Sequence, residues 1–143
     1  MGKINMGRVV LGGMLAGLVL IVLATVFTAL FIGQEELRAA VQAMRPPTIK
    51  GAAPVFLVFA FFFLGILMTW WYAAIRPRFG PGPKTAAIAG LAVWLTANPA
   101  QSFLLGHVAQ FPIGFVVRSM VMYLAMIVAS SVAGAWVYKE QQH

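Results

Sequence analysis

Acidic residues and cysteine are almost missing from this chain. It contains no cysteine and no aspartate, and its only acids are Glu35, Glu36 and Glu140. Without cysteine, disulfides, thiolate metal ligands and cysteine nucleophiles are excluded. The two histidines, His107 and His143, are too few for a metal or haem site, and no buried acid is available to orient a histidine base. We therefore expect no metal, no cofactor and no enzymatic activity.

Charge of either sign is also scarce. Charged residues make up 9% of the chain and hydrophobic residues 62%, whereas an average soluble domain has about 25% charged residues. A water-facing surface cannot be built from so few charges, so the composition predicts an integral membrane protein in a lipid bilayer. The net charge is +7, but the basic residues are scattered among apolar segments, which argues against binding to nucleic acid.

Four apolar runs are long enough to cross a bilayer, which takes roughly 20 residues. They cover about 9–32, 54–75, 85–106 and 114–138. The first run exceeds the usual h-region of a signal peptide, about 7–15 residues, and has no clear small-x-small cleavage site, so we expect it to be retained. No segment alternates apolar and polar residues with a period of two, the pattern of a transmembrane β-barrel strand. The sequence therefore predicts an all-α, four-helix membrane bundle forming a single transmembrane domain over residues 1–143.

Basic residues predict the orientation of these spans. With four spans, both termini lie on one side, and six basic residues fall there: Lys3, Arg8, Arg76, Arg78, Lys84 and Lys139. Four fall on the other side: Arg38, Arg45, Lys50 and Arg118. Aromatic residues, which favour membrane interfaces, end the second and fourth spans. We expect a multi-pass membrane protein with both termini cytoplasmic.

The connection "RPRFGPGPKT" between the second and third spans is rigid and basic. Its cations Arg76, Arg78 and Lys84 hold the connection in the cytoplasm. Its prolines, at positions 77, 81 and 83, cannot continue a helix, and Gly80 and Gly82 allow a tight turn. We interpret it as a hairpin that sets topology. The alternative is that the three cations bind anionic lipid headgroups.

The segment "WYAAIRPRFGPGPKTAAIAGLAVW" resembles a stretch carried by a family of small, uncharacterised bacterial inner-membrane proteins. The similarity extends to "GRVVLGGMLAGLV" near the start and "AGAWVYKE" near the end, so it covers most of the chain. The resemblance implies a four-helix, multi-pass protein of the bacterial inner (cytoplasmic) membrane without a known activity. Members often carry polar or acidic residues midway along the first helix, where this chain reads "LVLIVLATVF". A family function that used those residues is therefore not expected here.

Each span has a stripe of small residues, which let helix backbones approach in lipid. The stripes include Gly13 and Gly17 in the first span, Gly65 and Thr69 in the second, and Ala125 and Ala129 in the fourth. Four such stripes favour a compact bundle. They leave open whether the chain packs only within itself, as a homo-oligomer, or against partner membrane proteins.

The loop after the first span contains a short helical pattern. From Glu35 to Met44 the apolar residues recur at helical spacing on one face, and Pro46 and Pro47 end the pattern. Glu35 and Glu36 in the first turn complement the helix dipole. We predict a short amphipathic helix on the outer membrane surface, between the first and second spans.

One group of polar residues lies toward the outer half of the third and fourth spans. It comprises Asn98, Gln101, Ser102, His107 and Arg118. Polar and charged residues inside a membrane span are candidates for function. A structural interpretation is also open, in which Arg118 extends to the outer interface and the amides satisfy the helix backbone near Pro99.

Two functions follow from these patterns. The first is a non-catalytic accessory or scaffolding subunit that packs against itself or partner membrane proteins. The second is a small transporter or channel whose polar site is formed near Asn98, Gln101 and Arg118. Ion-coupled transporters usually need an acid inside the membrane, and none is present in these spans, so the sequence favours the first.

Overall fold

The computed structural model describes residues 4–43, 53–108 and 111–139. Within these ranges the chain is helical and contains no strand. The helices are α1 (Met6–Phe31), α2 (Gln34–Ala43), α3 (Ala53–Phe79), α4 (Pro83–Val108) and α5 (Ile113–Val137). The predicted all-α fold is confirmed for the described residues.

The helix starts follow local chemistry. The side chain of Asn5 caps α1, because its Oδ1 accepts a hydrogen bond from the backbone N–H of Arg8 at 3.2 Å. Pro83 is the first residue of α4, a position where proline loses no helical hydrogen bond and already has a suitable φ. A helix occurs where one was predicted from Glu35 to Met44: α2 covers Gln34–Ala43, and Met44 lies outside the described residues.

The prediction that Pro77 could not continue a helix was wrong, since α3 continues through it to Phe79. Proline removes only its own helical donor and crowds the preceding turn. The next backbone bonds still form, and the N–H of Gly80 donates to the carbonyl of Arg76 at 2.8 Å. A proline in the last turn therefore interrupts the helix less than one in its middle.

Two glycines make the turn between α3 and α4. Gly80 has φ 81° and Gly82 has φ 136°, both in the region that residues with a Cβ rarely adopt. Side chains fix this turn: the Thr85 hydroxyl donates to the Gly80 carbonyl at 2.8 Å, and the Gly82 N–H donates to the Tyr72 hydroxyl at 3.2 Å. The sequence prediction of a tight glycine turn here is confirmed.

The four long helices pack side by side. α1 and α4 each pack against both α3 and α5, and α3 also touches α5. α1 and α4 therefore lie on opposite sides of the α3–α5 pair. The bundle core consists of two clusters, one around Val9, Tyr72 and Ala135, the other around Leu20 and Met68.

Glycines allow the closest helix contacts. A Cβ on Gly13 would lie 2.5 Å from the Cα of Ile66 in α3, and one on Gly65 would overlap the carbonyl oxygen of Gly13. On the other face of α1, a Cβ on Gly12 would lie 2.6 Å from the carbonyl oxygen of Gly134 in α5. α1 thus approaches both neighbours at backbone distance.

The small residues that α5 buries differ from those chosen in the sequence. Ala125 and Ala129 are exposed, whereas Ser130, Ser131 and Gly134 are buried. Ser131 donates a hydrogen bond from its hydroxyl to the carbonyl of Ala86 in α4 at 2.7 Å. α5 has small residues on more than one face, so spacing alone did not identify the face in contact.

Among the described residues, three helices, α1, α3 and α5, are long and apolar enough to cross a membrane. α4 has comparable length, 26 residues, but is more polar in its second half. Its second half includes Asn98, Pro99, Gln101 and Ser102, which lower its hydrophobicity.

The described charges divide between two ends of the bundle. The start of α1, the end of α3, the start of α4 and the end of α5 meet at one end, where Val9, Tyr72, Ala86 and Ala135 share a core cluster. We name it the basic end, since its described charges are all positive: Arg8, Arg76, Arg78, Lys84 and Lys139. At the opposite end, the α2 end, the described charges are Glu35, Glu36, Arg38 and Arg118.

Candidate functional site

The polar residues of α4 interact mainly within their own helix. The Ser102 hydroxyl donates to the Asn98 side-chain oxygen at 3.3 Å, and both side chains are half-buried. Gln101 and His107 are exposed. These four residues therefore lie along one helix without converging on an enclosed site.

Arg118 interacts with α2 instead. Its guanidinium forms an ion pair with the Glu36 carboxylate at 2.5 Å, and it lies 5.8 Å from the ring centre of Phe115. Both charged side chains remain substantially exposed, at 45% and 40%. An exposed pair of this kind contributes about 0–1 kcal/mol to stability.

The predicted polar cluster is thus divided into two groups. Within the described part of the chain, no hydrogen bond or ion pair connects Arg118 to Asn98, Gln101 or Ser102. Sequence reasoning missed the partner of Arg118, because Glu36 was assigned to the dipole of its own helix. The signal available was that Glu36 and Arg118 were both predicted at the outer surface.

A cavity of about 460 Å³ lies at the basic end of the bundle. Its size falls within the usual range for small-molecule sites, about 300–1,000 Å³. It lies between the α3–α4 turn and the end of α5. The lining residues are Tyr72, Arg76, Pro81, Gly82, Pro83, Val132, Ala135, Trp136 and Tyr138.

Two tyrosines give this cavity a fixed wall. The rings of Tyr72 and Tyr138 meet edge to face, with centres 5.9 Å apart, a favourable aromatic geometry. Each hydroxyl accepts a backbone hydrogen bond, from Gly82 at 3.2 Å and from Asn5 at 3.4 Å. These bonds tie the wall to the turn and to the start of α1.

Arg76 provides the cation in the cavity. Its guanidinium carbon lies 5.7 Å from the ring centre of Tyr138, within the range of a cation–π interaction. Tyr72 and Arg76 are four residues apart in α3 and therefore share a helix face. Of the three cations that the sequence linked to lipid headgroups, only Arg76 lines the cavity, and Arg78 and Lys84 are exposed.

Sequence reasoning did not predict this cavity. Its tyrosines come from α3 and α5, and nothing in either helix alone indicates that their rings meet. The available signal was the aromatic residues that end both spans beside the basic connection.

Among the described residues, no group of three or more histidine, cysteine, aspartate or glutamate side chains could hold a metal ion. No protein-family model, curated protein or solved structure matches the chain. Its function is therefore argued from its own geometry and charge.

Proposed function

We propose that this chain is a four-span protein of the bacterial inner membrane that acts as a non-catalytic accessory or scaffolding subunit. It packs against a second copy or against partner membrane proteins. The resemblance of its basic connection to small bacterial inner-membrane proteins supports the choice of membrane.

α4 is the fourth span in this proposal. Its 26 residues extend about 39 Å at 1.5 Å per residue, longer than a hydrocarbon core of about 30 Å. It also packs against α3 and α5, two helices that qualify as spans by themselves. Its polar residues Asn98 and Ser102 bond to each other, which lowers the cost of placing them in lipid.

Charge supports an orientation with both termini in the cytoplasm. The described residues of the basic end comprise five cations and no acid, whereas those of the α2 end comprise two of each. Positive charge is retained on the cytoplasmic side of membrane proteins. The basic end is therefore cytoplasmic, and α2 lies on the outer surface, joined by Glu36 to Arg118 near the start of α5.

The observation that carries the packing role is the exposure of the start of α3. Residues 55–60 are all exposed, so no face of the helix is buried there against the described part of the chain. A helix packed inside a bundle buries one face in each turn. Phe56, Phe59 and Phe63 are 64%, 69% and 67% exposed, and this segment is the surface that we assign to a partner helix.

A small transporter or channel is the alternative, with its site near Asn98, Gln101 and Arg118. It requires these side chains to converge, but Arg118 pairs with Glu36, and Gln101 is exposed. The contacts therefore favour the packing role.

Single cysteines test the packing surface, because the native chain has none. Phe59→Cys should form a disulfide-linked dimer on oxidation in native membranes, since a second copy would bring two α3 helices together. A photoactivatable cross-linker at residue 59 should capture a distinct protein if the partner is not a second copy.

Val121→Cys is a matched control on α5. Val121 is 62% exposed. It lies eight residues after the start of α5, and Phe59 lies six residues after the start of α3, so the two positions have a similar depth along their helices. The Val121→Cys variant should form far fewer cross-linked products than Phe59→Cys. Equal cross-linking at both positions, or none at residue 59 with either reagent, would contradict the packing role and leave lipid as the only neighbour of α3.

A further inference from the structure

We propose that the cavity at the basic end binds the phosphate group of an anionic phospholipid. The phosphate would bind at Arg76, and the first carbons of the lipid would lie against the apolar wall formed by Val132 and Trp136. This site is separate from the packing surface on α3, which lies toward the other end of that helix.

The chemistry of the lining matches an amphiphile. Most lining residues are apolar or aromatic, and Arg76 is the charged residue among them. Arginine presents five N–H donors in a planar fork that suits a phosphate. The contact of its guanidinium with the Tyr138 ring places Arg76 beside the aromatic wall of the cavity.

The size of the cavity points to more than a free ion. At about 460 Å³, it is large enough for a small molecule rather than a single phosphate. Trp136 forms one edge of the cavity and is 87% exposed. Tryptophan is favoured at the headgroup level of membranes, so this edge is suited to the glycerol and upper chain of a lipid.

The surrounding charge selects an anionic ligand. Five described cations lie at this end: Arg8, Arg76, Arg78, Lys84 and Lys139. This number is within the range of about 4–8 that is typical of sites for anionic lipids. A zwitterionic lipid would place its own cation among these positive groups and should bind less well.

The first experiment measures phospholipid retention by native mass spectrometry of the detergent-solubilised chain. We expect phosphatidylglycerol to bind and phosphatidylcholine of the same chain length to bind about tenfold more weakly. Arg76→Gln should weaken phosphatidylglycerol binding by about tenfold, the loss expected for a charge-assisted hydrogen bond.

Arg78→Gln is the matched control. It removes the same charge from the same turn of α3, but Arg78 is exposed and does not line the cavity. Its effect on binding should be less than about twofold, as expected for an exposed charge. Equal losses in the two variants would overturn the proposal, because they would indicate diffuse attraction to the basic end.

Trp136→Ala separates a lipid from free phosphate. This exposed residue can be replaced without disturbing the core, and circular dichroism verifies that each variant folds. Phosphatidylglycerol binding should weaken because the apolar wall is lost. Competition by inorganic phosphate at equal concentration, or undiminished binding in Trp136→Ala, would contradict a lipid site.

This inference relies on the proposed membrane placement only for the source of the lipid. Binding is measured in detergent, whereas cross-linking at residue 59 reports the packing role in membranes. The two proposals can therefore fail independently.

Discussion

Single glycines set the distance between the helices of this bundle. Gly13 and Gly17 face α3, and Gly12 faces α5, each where a side chain would strike backbone or a neighbouring residue. In lipid, where apolar surfaces gain little from meeting each other, close backbone approach is a main source of helix association. These positions should therefore tolerate no added carbon.

Gly65→Ala should lower the stability of the bundle by about 1–3 kcal/mol, the usual cost of overpacking a filled core. The new methyl group would meet the backbone of both Gly13 and Gly17, which cannot move without shifting α1. Thermal unfolding in detergent measures the effect.

Gly114→Ala is the control for that substitution. Gly114 is also helical, but nothing lies within 4 Å of its added Cβ. Because alanine favours a helix over glycine, this variant should melt at the same or a higher temperature. If the Gly65→Ala and Gly114→Ala variants had the same melting temperature, α1 and α3 would not be in close contact.

The sequence led to only some of these residues. GxxxG spacing drew attention to Gly13 and Gly17, and the structure places both against α3. Gly12 and Gly134 were missed because their contact joins the first and last helices, and no local pattern links them. Spacing within a helix suggests a face, but the partner helix decides which face is buried.

Helix α2 is attached to the bundle through few described contacts. Its main link is the pair between Glu36 and Arg118. The sequence predicted this helix from its apolar spacing, acidic first turn and terminal prolines, but not its attachment, which depends on the distant α5. Similarly, the sequence did not predict that α3 continues through Pro77, because every proline of the connection was expected to stop a helix.

Glu36→Gln should loosen α2 without unfolding the bundle. The charge pair is lost, and the melting temperature should change little, since an exposed pair contributes about 0–1 kcal/mol. Hydrogen exchange of the amides in Gln34–Ala43 should become faster, because the helix has lost its described attachment to α5.

Glu35→Gln provides the comparison on the same turn. Glu35 is exposed and forms no ion pair within the described part of the chain. Exchange in this variant should remain close to that of the parent protein. The account of α2 would be contradicted if both substitutions accelerated exchange equally, which would indicate an effect of helix charge alone.

Across the whole molecule, charge and packing are both asymmetric. The basic end has the cavity and a core cluster that joins all four long helices, whereas residues 55–60 near the start of α3, at the other end, are all exposed. The charge asymmetry could be predicted from the positions of lysine and arginine. The cavity could not, because it requires Tyr72 and Tyr138 to meet across two helices.

The central claim is a four-span bundle whose basic end is cytoplasmic, and α4 is the helix on which it depends. Lys84 lies in the first turn of this helix and Pro112 follows its other end, and both are exposed. Each can be replaced by a single cysteine and treated in intact cells with a membrane-impermeant thiol reagent. Gln42→Cys in α2, also exposed, reports the outer surface independently.

We expect Pro112→Cys and Gln42→Cys to be labelled from outside, and Lys84→Cys to be labelled only after the membrane is permeabilised. Labelling of residues 84 and 112 from the same side would mean that α4 does not cross the membrane. Labelling of residue 84 alone in intact cells would mean that the basic end faces outward, and it would contradict the account directly.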